Sequence, residues 1–377
     1  MGLAVTVARG AAELERIVPE WEALARAALE RNPFYEHWML RPALEAYGVR
    51  ADLRIVLVWS GNELAGLFPF ERITRYKGLP VSALASWRHP HCLLCTPLVR
   101  ADHARECLAA LFDAIEAPLV EFRYLVAGEP FHRALAGGLA ARGAQSVVNR
   151  SYERGLLRKH RATISARFRR QAARNERRLK GLAHVALAPH DDIGPWIDDF
   201  LRLEASGWKG RDGGAMACSE TNGRYFREIL TSAHARGRLL FCGLDVEGRA
   251  IARRCSFTAG EGAYAFKIAY DEEFAEFSPG ALLELDNVRQ VDADPRIQWM
   301  DAFTEANVLA VERLWPDRRT IETRVAGLGA WGRLAAGALP WLRRLKRGVP
   351  VNIPARIEPG GIIAGRPEEH STLSGRT

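Results

Sequence analysis

An α/β protein with two similar halves is the fold class that the sequence predicts, and three observations support it. The chain has 377 residues, of which 48% are hydrophobic and 26% are charged, a composition typical of soluble globular proteins. That length accommodates two domains, each with a core of its own. In both halves, segments with helical periodicity lead into a β-hairpin, which is followed by a further helix and a strand.

The first half opens with a helical pattern. Leu14, Ile17, Trp21 and Leu24 recur at three- and four-residue spacing, which predicts a helix over about 11–46. Two strand-like runs joined by a polar turn then predict a hairpin. The elements expected after the first helix are strands at 53–59 and 64–73, a helix over 102–115, a strand over 119–126, a helix over 130–142 and strand-like residues up to 152.

The positive charge is concentrated in one segment. Lys and Arg total 53 against 45 Asp and Glu, a net charge of +8, and residues 153–180 alone carry eleven basic and two acidic side chains. Residues 159–180 should form a helix that ends at Gly181. A nucleic-acid arm would interleave aromatic residues, and this segment has only Phe168. We therefore expect an interdomain helix with a solvated face and no nucleic-acid partner, with binding of an anionic ligand as the alternative.

The second half repeats the plan of the first. Its expected elements are helices over 193–204 and 221–236, hairpin strands at 238–245 and 249–258, a strand at 263–270, a helix over 279–291 and a strand at 297–303. The expected domains are 1–152, 153–326 with the basic linking helix, and 327–377, an amphipathic helix followed by a disordered tail.

The boundary between the last long strand and the helix after it has the features of a phosphate site. Pro at the first helical position loses an amide hydrogen that has no partner there, and Ser is a favourable N-cap. A glycine next to it leaves room for a ligand, and the helix N-terminus attracts anions. The alternative is that these residues only start a helix. The residues assigned to this site are Phe277, Ser278, Pro279, Gly280 and Ala281.

The cysteines and histidines do not predict a metal site. His89, His91, Cys92 and Cys95 are suitable zinc ligands by type, but strand alternation would point the two thiols to opposite faces. We expect no metal, and instead expect His89 or His91 to line a substrate cleft. Six sparse cysteines, no long apolar run and no export signal indicate a cytoplasmic protein.

Several of these segments resemble GNAT-fold acyltransferases related to the cellulose-biosynthesis acetyltransferase type. The resemblance rests on Ser206–Gly210, Ala269–Asp271, Ser278–Gly280 and the basic stretch Ile164–Leu179, and covers about residues 155–310. The family is a tandem GNAT arrangement, similar in architecture to Fem-type peptidyltransferases. It implies tandem GNAT-like domains, each a mixed, mostly antiparallel sheet flanked by helices. It also implies acetyl-CoA or another acyl-CoA as donor, with its pyrophosphate on the amides of the loop and helix that begin at Ser278.

GNAT chemistry suggests roles for polar residues near the expected thioester. Asp301 ends a predicted strand and could accept the acceptor's proton, or it could form an ion pair; Asp271 and Glu305 are second choices. Tyr270 could protonate the leaving sulfur, although an aromatic residue in a strand is more often part of the core. The substrate-binding candidates are Trp208, Lys209, His89 and His91.

The sequence therefore favours an acyl-CoA-dependent acyltransferase. Its acceptor would be an amine or hydroxyl of a sugar, a polysaccharide precursor or an amino-acid-like compound. The alternatives are a Fem-like aminoacyl-tRNA-dependent transferase, whose basic helix would contact tRNA, and a non-catalytic GNAT-fold binding protein of polysaccharide assembly. Residues 328–347 also predict a basic amphipathic helix that contacts an anionic membrane surface, or that packs its apolar stripe onto the protein itself.

Overall fold

The computed structural model describes residues 2–8, 10–49, 51–144, 146–304 and 314–347. The helices are α1 (Ala11–Arg16), α2 (Val18–Ala27), α3 (His37–Tyr47), α4 (Ala104–Ala114), α5 (Pro130–Ala140), α6 (Ala166–Arg178), α7 (Gly194–Ser206), α8 (Trp208–Arg211), α9 (Glu220–Ala235), α10 (Pro279–Ala293) and α11 (Gly329–Arg347). The strands are β1 (Ala4–Ala8), β2 (Leu53–Ser60), β3 (Glu63–Ile73), β4 (Ala83–Ser86), β5 (Leu98–Val99), β6 (Leu119–Val126), β7 (Ser146–Arg158), β8 (Leu182–Ala186), β9 (Leu239–Val246), β10 (Arg249–Ala259), β11 (Gly262–Tyr270), β12 (Trp299–Asp301) and β13 (Asp317–Gly327).

All of these strands belong to one mixed sheet. Its order is β1-β2-β3-β4-β6-β13-β7-β12-β11-β10-β9-β8, and β5 pairs with β3 beside this path. The pairs β4–β6 and β11–β12 are parallel, and the other pairs along the path are antiparallel. This confirms the predicted fold class, a mixed and mostly antiparallel sheet flanked by helices.

The two halves exchange their last strands. From the edges inward, β1-β2-β3-β4-β6 and β8-β9-β10-β11-β12 follow the same plan, but β13 pairs with β6 and β7 pairs with β12. The strand that ends each half therefore completes the sheet of the other half. The expected domain boundary between residues 152 and 153 lies inside β7, so a cut there would divide a strand that both halves use.

Helices cover both faces of this sheet. One core, which runs across both halves, receives side chains from α1, α2, α3, α7 and α9. On the opposite face, α4 and α5 cover the first half, and α6 and α10 cover the second. The halves also interlock through side chains, since the Phe34 ring stacks on Phe303 with centroids 4.3 Å apart. The described helices include none long and apolar enough to cross a membrane.

Three element boundaries differ from the sequence predictions. The segment 11–46, expected to be one helix, forms three helices. Pro19 lies in the first turn of α2 and separates it from α1, and the Asn32 side chain caps a short turn at Pro33–Tyr35 before α3. The basic helix starts at Ala166 and not at 159, because Ser165 caps it and residues up to Arg158 belong to β7. The strand predicted at 297–303 is shorter in the structure, where β12 covers only Trp299–Asp301.

Candidate functional site

A cleft of about 670 Å³ lies between α6 and the first turn of α10. Its α6 wall is a single helix face, with residues at spacings of three and four. Its α10 wall is the helix start that the sequence assigned to a phosphate group. The lining residues are Ser165, Arg167, Phe168, Gln171, Ala172, Asn175, Ser278, Ala281 and Leu282.

The start of α10 differs from the predicted N-cap. Ser278 has left-handed backbone angles (φ 55°, ψ 54°), and its side chain makes no capping hydrogen bond. The predicted capping role of Ser278 is therefore wrong, because an N-cap side chain reaches the helix amides from an extended backbone. Its carbonyl instead accepts hydrogen bonds from the Ala281 amide at 2.9 Å and the Leu282 amide at 3.2 Å. A left-handed residue other than glycine costs of order 1–3 kcal/mol, and such strain is concentrated at binding sites.

The basic helix holds the loop that leads into α10. The Asn175 side chain donates to the Phe277 carbonyl at 2.8 Å and accepts from Gln171 at 2.9 Å. Arg178 pairs with Glu276 at 2.6 Å and lies over the Phe277 ring. Phe277 therefore positions the loop, while Ser278 and Ala281 line the cleft. Two of the five predicted phosphate-site residues thus line the cleft, whereas Pro279 and Gly280 are buried and do not line it.

A second group of predicted residues meets at the end of β11. A small pocket of about 30 Å³ includes Trp208, Lys209, Tyr270 and Glu272 in its wall. The Trp208 amide donates to Glu272 at 2.8 Å. Burial, followed by the nearby Glu272 carboxylate, raises the pKa of Tyr270 above its usual value. This phenol consequently remains protonated at neutral pH and is able to donate a proton.

A buried charge cluster at this pocket joins the predicted Lys209 to Glu204 and Lys267, two residues that the sequence analysis missed. Glu204 accepts a hydrogen bond from Lys209 Nζ at 3.2 Å and one from the Met216 amide at 2.8 Å. Lys267 Nζ lies 3.8 Å from the same carboxylate, and both groups are buried. Burial lowers the pKa of Lys267. Burial acts to raise the pKa of Glu204, but the two lysines outweigh it and hold that pKa below its usual value.

A β-bulge determines where Lys267 points. In the β10–β11 register, Cys255 pairs with Lys267 and Ser256 pairs with Ala265, so Phe266 is an extra residue. The bulge reverses the alternation of side chains, which places Lys267 on the α7 face and Tyr270 on the face covered by α6 and α10. The available signal in the sequence was a lone lysine within an apolar strand.

The predicted catalytic aspartates are both held in ion pairs. Both oxygens of Asp301 are engaged, by Arg154 at 2.7 and 2.9 Å and by Arg319 at 3.0 Å, and the carboxylate also accepts from the Phe303 amide. Asp271 pairs with Arg249 at 2.5 Å and accepts from the Glu273 amide. These contacts favour the ion-pair alternative over proton transfer.

Distance also separates Asp301 from the pocket at the end of β11. It pairs with Tyr264, six residues before Tyr270, which is about 20 Å along β11 at the usual rise per residue. Glu305, the remaining carboxylate candidate, lies outside the described residues.

The histidine candidates lie in an aromatic cluster between the two halves. His89 stacks on Tyr47 with centroids 5.1 Å apart and meets Tyr225 edge-on at 5.3 Å. Burial, followed by Arg88, lowers the pKa of His89 to about 3. Burial also lowers the pKa of His91, and Lys267 lowers it further. Both imidazoles are therefore neutral, and His91 lies within electrostatic range of the lysine cluster.

No group of three or more potential metal-ligating side chains is arranged around a common point within the described part of the chain. Cys92 and Cys95 are buried free thiols next to the aromatic cluster, and burial raises the pKa of Cys92.

The segment that contains α6, β11 and α10 matches a known domain family. Residues 166–307 match the family model described as an acetyltransferase (GNAT) domain. This segment is therefore similar to GNAT-fold acetyltransferase domains. It starts at the basic helix and contains the cleft, the bulged strand and the start of α10. Comparison with curated protein sequences finds no significant match.

Solved structures of low sequence identity share the fold over most of the chain. FemX matches at 12% identity and TM-score 0.50, over 75% of this chain and 86% of that chain. L-PGS from Bacillus licheniformis matches at 14% identity and TM-score 0.50, over 87% and 96%. The C-terminal domain of a protein described as a lysylphosphatidylglycerol synthetase, from Agrobacterium fabrum, matches at 12% identity and TM-score 0.52, over 88% and 96%. These likenesses concern the fold.

Proposed function

We propose that this protein is an acyl-CoA-dependent acyltransferase that acylates an amine or hydroxyl group. The observation that carries the proposal is the cleft between the basic helix α6 and the left-handed start of α10. Acetyl-CoA or another acyl-CoA is the proposed donor. The proposed acceptor is a sugar, a polysaccharide precursor or an amino-acid-like compound, and the proposed location is cytoplasmic; these finer points rest on the sequence resemblance.

The donor's pyrophosphate is proposed to bind at the start of α10. Pro279 has no amide hydrogen, so Gly280 carries the first N–H of this helix, and the N-terminal end of the helix dipole favours an anion there. The Ser278 hydroxyl is not used for capping and lines the same cleft. Arg167 on the opposite wall supplies positive charge for a phosphate group.

The proposed reaction is direct attack of the acceptor on the thioester. The acceptor's lone pair forms a bond to the carbonyl carbon, the C–S bond breaks, and the sulfur takes a proton from Tyr270. The Tyr270 phenolate then regains a proton from solvent. The acceptor releases its own proton to water, since Asp301 and Asp271 are held in ion pairs. Lys209 and Lys267, two cations around a single carboxylate, favour an acceptor that carries negative charge near the transferred group.

Coenzyme A binding by calorimetry tests the donor site. Ala281→Trp should abolish binding, because Ala281 lines the cleft and the indole would occupy it. Gly137→Trp is the control for a tryptophan placed on another helix, since a side chain at that helical glycine meets only open space. Ala281→Trp protein that folds and binds coenzyme A with parental affinity would contradict the proposal. Release of free thiol from acetyl-CoA with a panel of amines then tests the reaction itself.

A Fem-like aminoacyl-tRNA donor is the second candidate, and the exposed basic face of α6 is the observation that favours it. Arg169, Arg170 and Arg174 are exposed along this helix. Reversal of these three charges should leave tRNA binding negligible if tRNA is the donor. Salt-sensitive, micromolar tRNA binding that this variant loses would favour the aminoacyl-tRNA reaction over acyl-CoA.

A further inference from the structure

The C-terminal helix α11 packs on the sheet through one narrow face. Ala336 and Leu339 are buried in a cluster with Tyr76 and Val325. Gly332 makes the closest approach, since a Cβ there would lie 2.0 Å from the Pro118 carbonyl oxygen. This face holds the helix on the protein, so its position does not depend on any further contact.

A different face of α11 presents large apolar side chains to solvent. Trp331 is 81% exposed and Leu334 is 68% exposed, whereas the exposed Trp208 near the cleft reaches 41%. The two residues are three apart, and the exposed Ala338 continues the same stripe four residues later. The sequence left open whether the stripe packs onto the protein; at Trp331 and Leu334 it does not.

The sequence of α11 is strongly basic. Residues 329–347 contain four arginines, one lysine and no acidic residue. The loop that follows β3 adds the exposed Arg75, while Ile73 at the end of β3 packs against the same cluster as α11. Exposed tryptophan and leucine flanked by cations is the arrangement of helices that lie in the plane of a membrane interface.

We propose that α11 and the loop residue Arg75 beside it form a surface that docks on an anionic phospholipid bilayer. Trp331 and Leu334 enter the boundary between headgroups and acyl chains, and the arginines contact the lipid phosphates. Charge complementarity selects this occupant, because a second copy of the chain would bring the same basic stripe against itself. The docking does not depend on the transfer reaction.

Vesicle co-sedimentation of the full chain tests this surface. The vesicles are pure phosphatidylcholine and a mixture with roughly one phosphatidylglycerol in three. We expect binding to the anionic vesicles only, weakened by salt, and at least about tenfold weaker for the Trp331→Ser/Leu334→Ser double variant. Val49→Ser is the matched control, since Val49 is an 87% exposed apolar residue in another segment, and it should bind like the parent.

Sedimentation velocity and thermal unfolding of the same proteins complete the test. Because both side chains are exposed, the double variant should unfold at the parental temperature. Absence of binding to anionic vesicles would overturn the proposal. So would a parent that self-associates through this stripe, or a double variant that binds vesicles as the parent does.

Discussion

Asp301→Asn separates an ion-pair role from a catalytic role. The side chains of Asp301 and Arg154 are both 0% exposed, and the carboxylate also holds Arg319 at 3.0 Å. Asparagine keeps the shape and can still accept the hydrogen bond from the Phe303 amide, so no cavity forms. It removes the only full negative charge that the structure shows in contact with the Arg154 guanidinium among the described residues.

The expected cost follows from the burial of that charge. Removal of one partner of a buried ion pair destabilises a protein by about 3–5 kcal/mol, because the other charge remains in a medium of low dielectric constant. The Arg319 charge loses less stabilisation than the Arg154 charge, since Arg319 also lies 3.7 Å from Glu129. We therefore expect the free energy of unfolding to fall by about 3–5 kcal/mol.

Urea unfolding followed by tryptophan fluorescence measures this loss. The matched control is Asp198→Asn, which breaks an exposed pair with Arg227, and it should cost less than about 1 kcal/mol. Turnover of folded Asp301→Asn protein is measured in parallel. A roughly 100-fold loss of turnover with unchanged unfolding would instead identify a general base and refute the ion-pair reasoning.

Two further predictions concern proton transfer and acid stability. Tyr270→Phe should lower turnover by about 100-fold and leave the affinity for coenzyme A unchanged. It should also remove the decline of turnover at alkaline pH, because in the parent that decline marks the loss of the Tyr270 proton at its raised pKa. An unchanged turnover would exclude Tyr270 as the acid. His89 has its pKa lowered to about 3 by burial, so the unfolded chain takes up a proton below its ordinary value of 6.5 while the folded chain does not. The free energy of unfolding should therefore fall by up to about 4–5 kcal/mol as the pH is lowered from 6.5 towards 3. His89→Phe should make this fall smaller. Identical pH profiles of unfolding for the parent and the variant would contradict this.

Elements specified by neighbouring residues could be predicted from the sequence. The hairpin turn at Ser60–Glu63, the strand at Leu119–Val126 and the helix start at Pro279 are all present where the local pattern placed them. Their signals are backbone preferences, such as the fixed φ of proline, which act within a few residues. Ser278 and Ala281, which line the cleft, stand out in the same local pattern, and their contact with a phosphate stays a prediction.

Only the tertiary structure decided what the charged groups do. Asp301 meets Arg154 across 147 positions of the chain, and Lys267 reaches Glu204 because a one-residue bulge turns its side chain to the α7 face. The exchange of β7 and β13 between the halves likewise depends on pairing between distant segments. Helix and strand preferences arise from local sterics and periodicity, whereas the role of a carboxylate depends on burial and on which cation the fold brings to it.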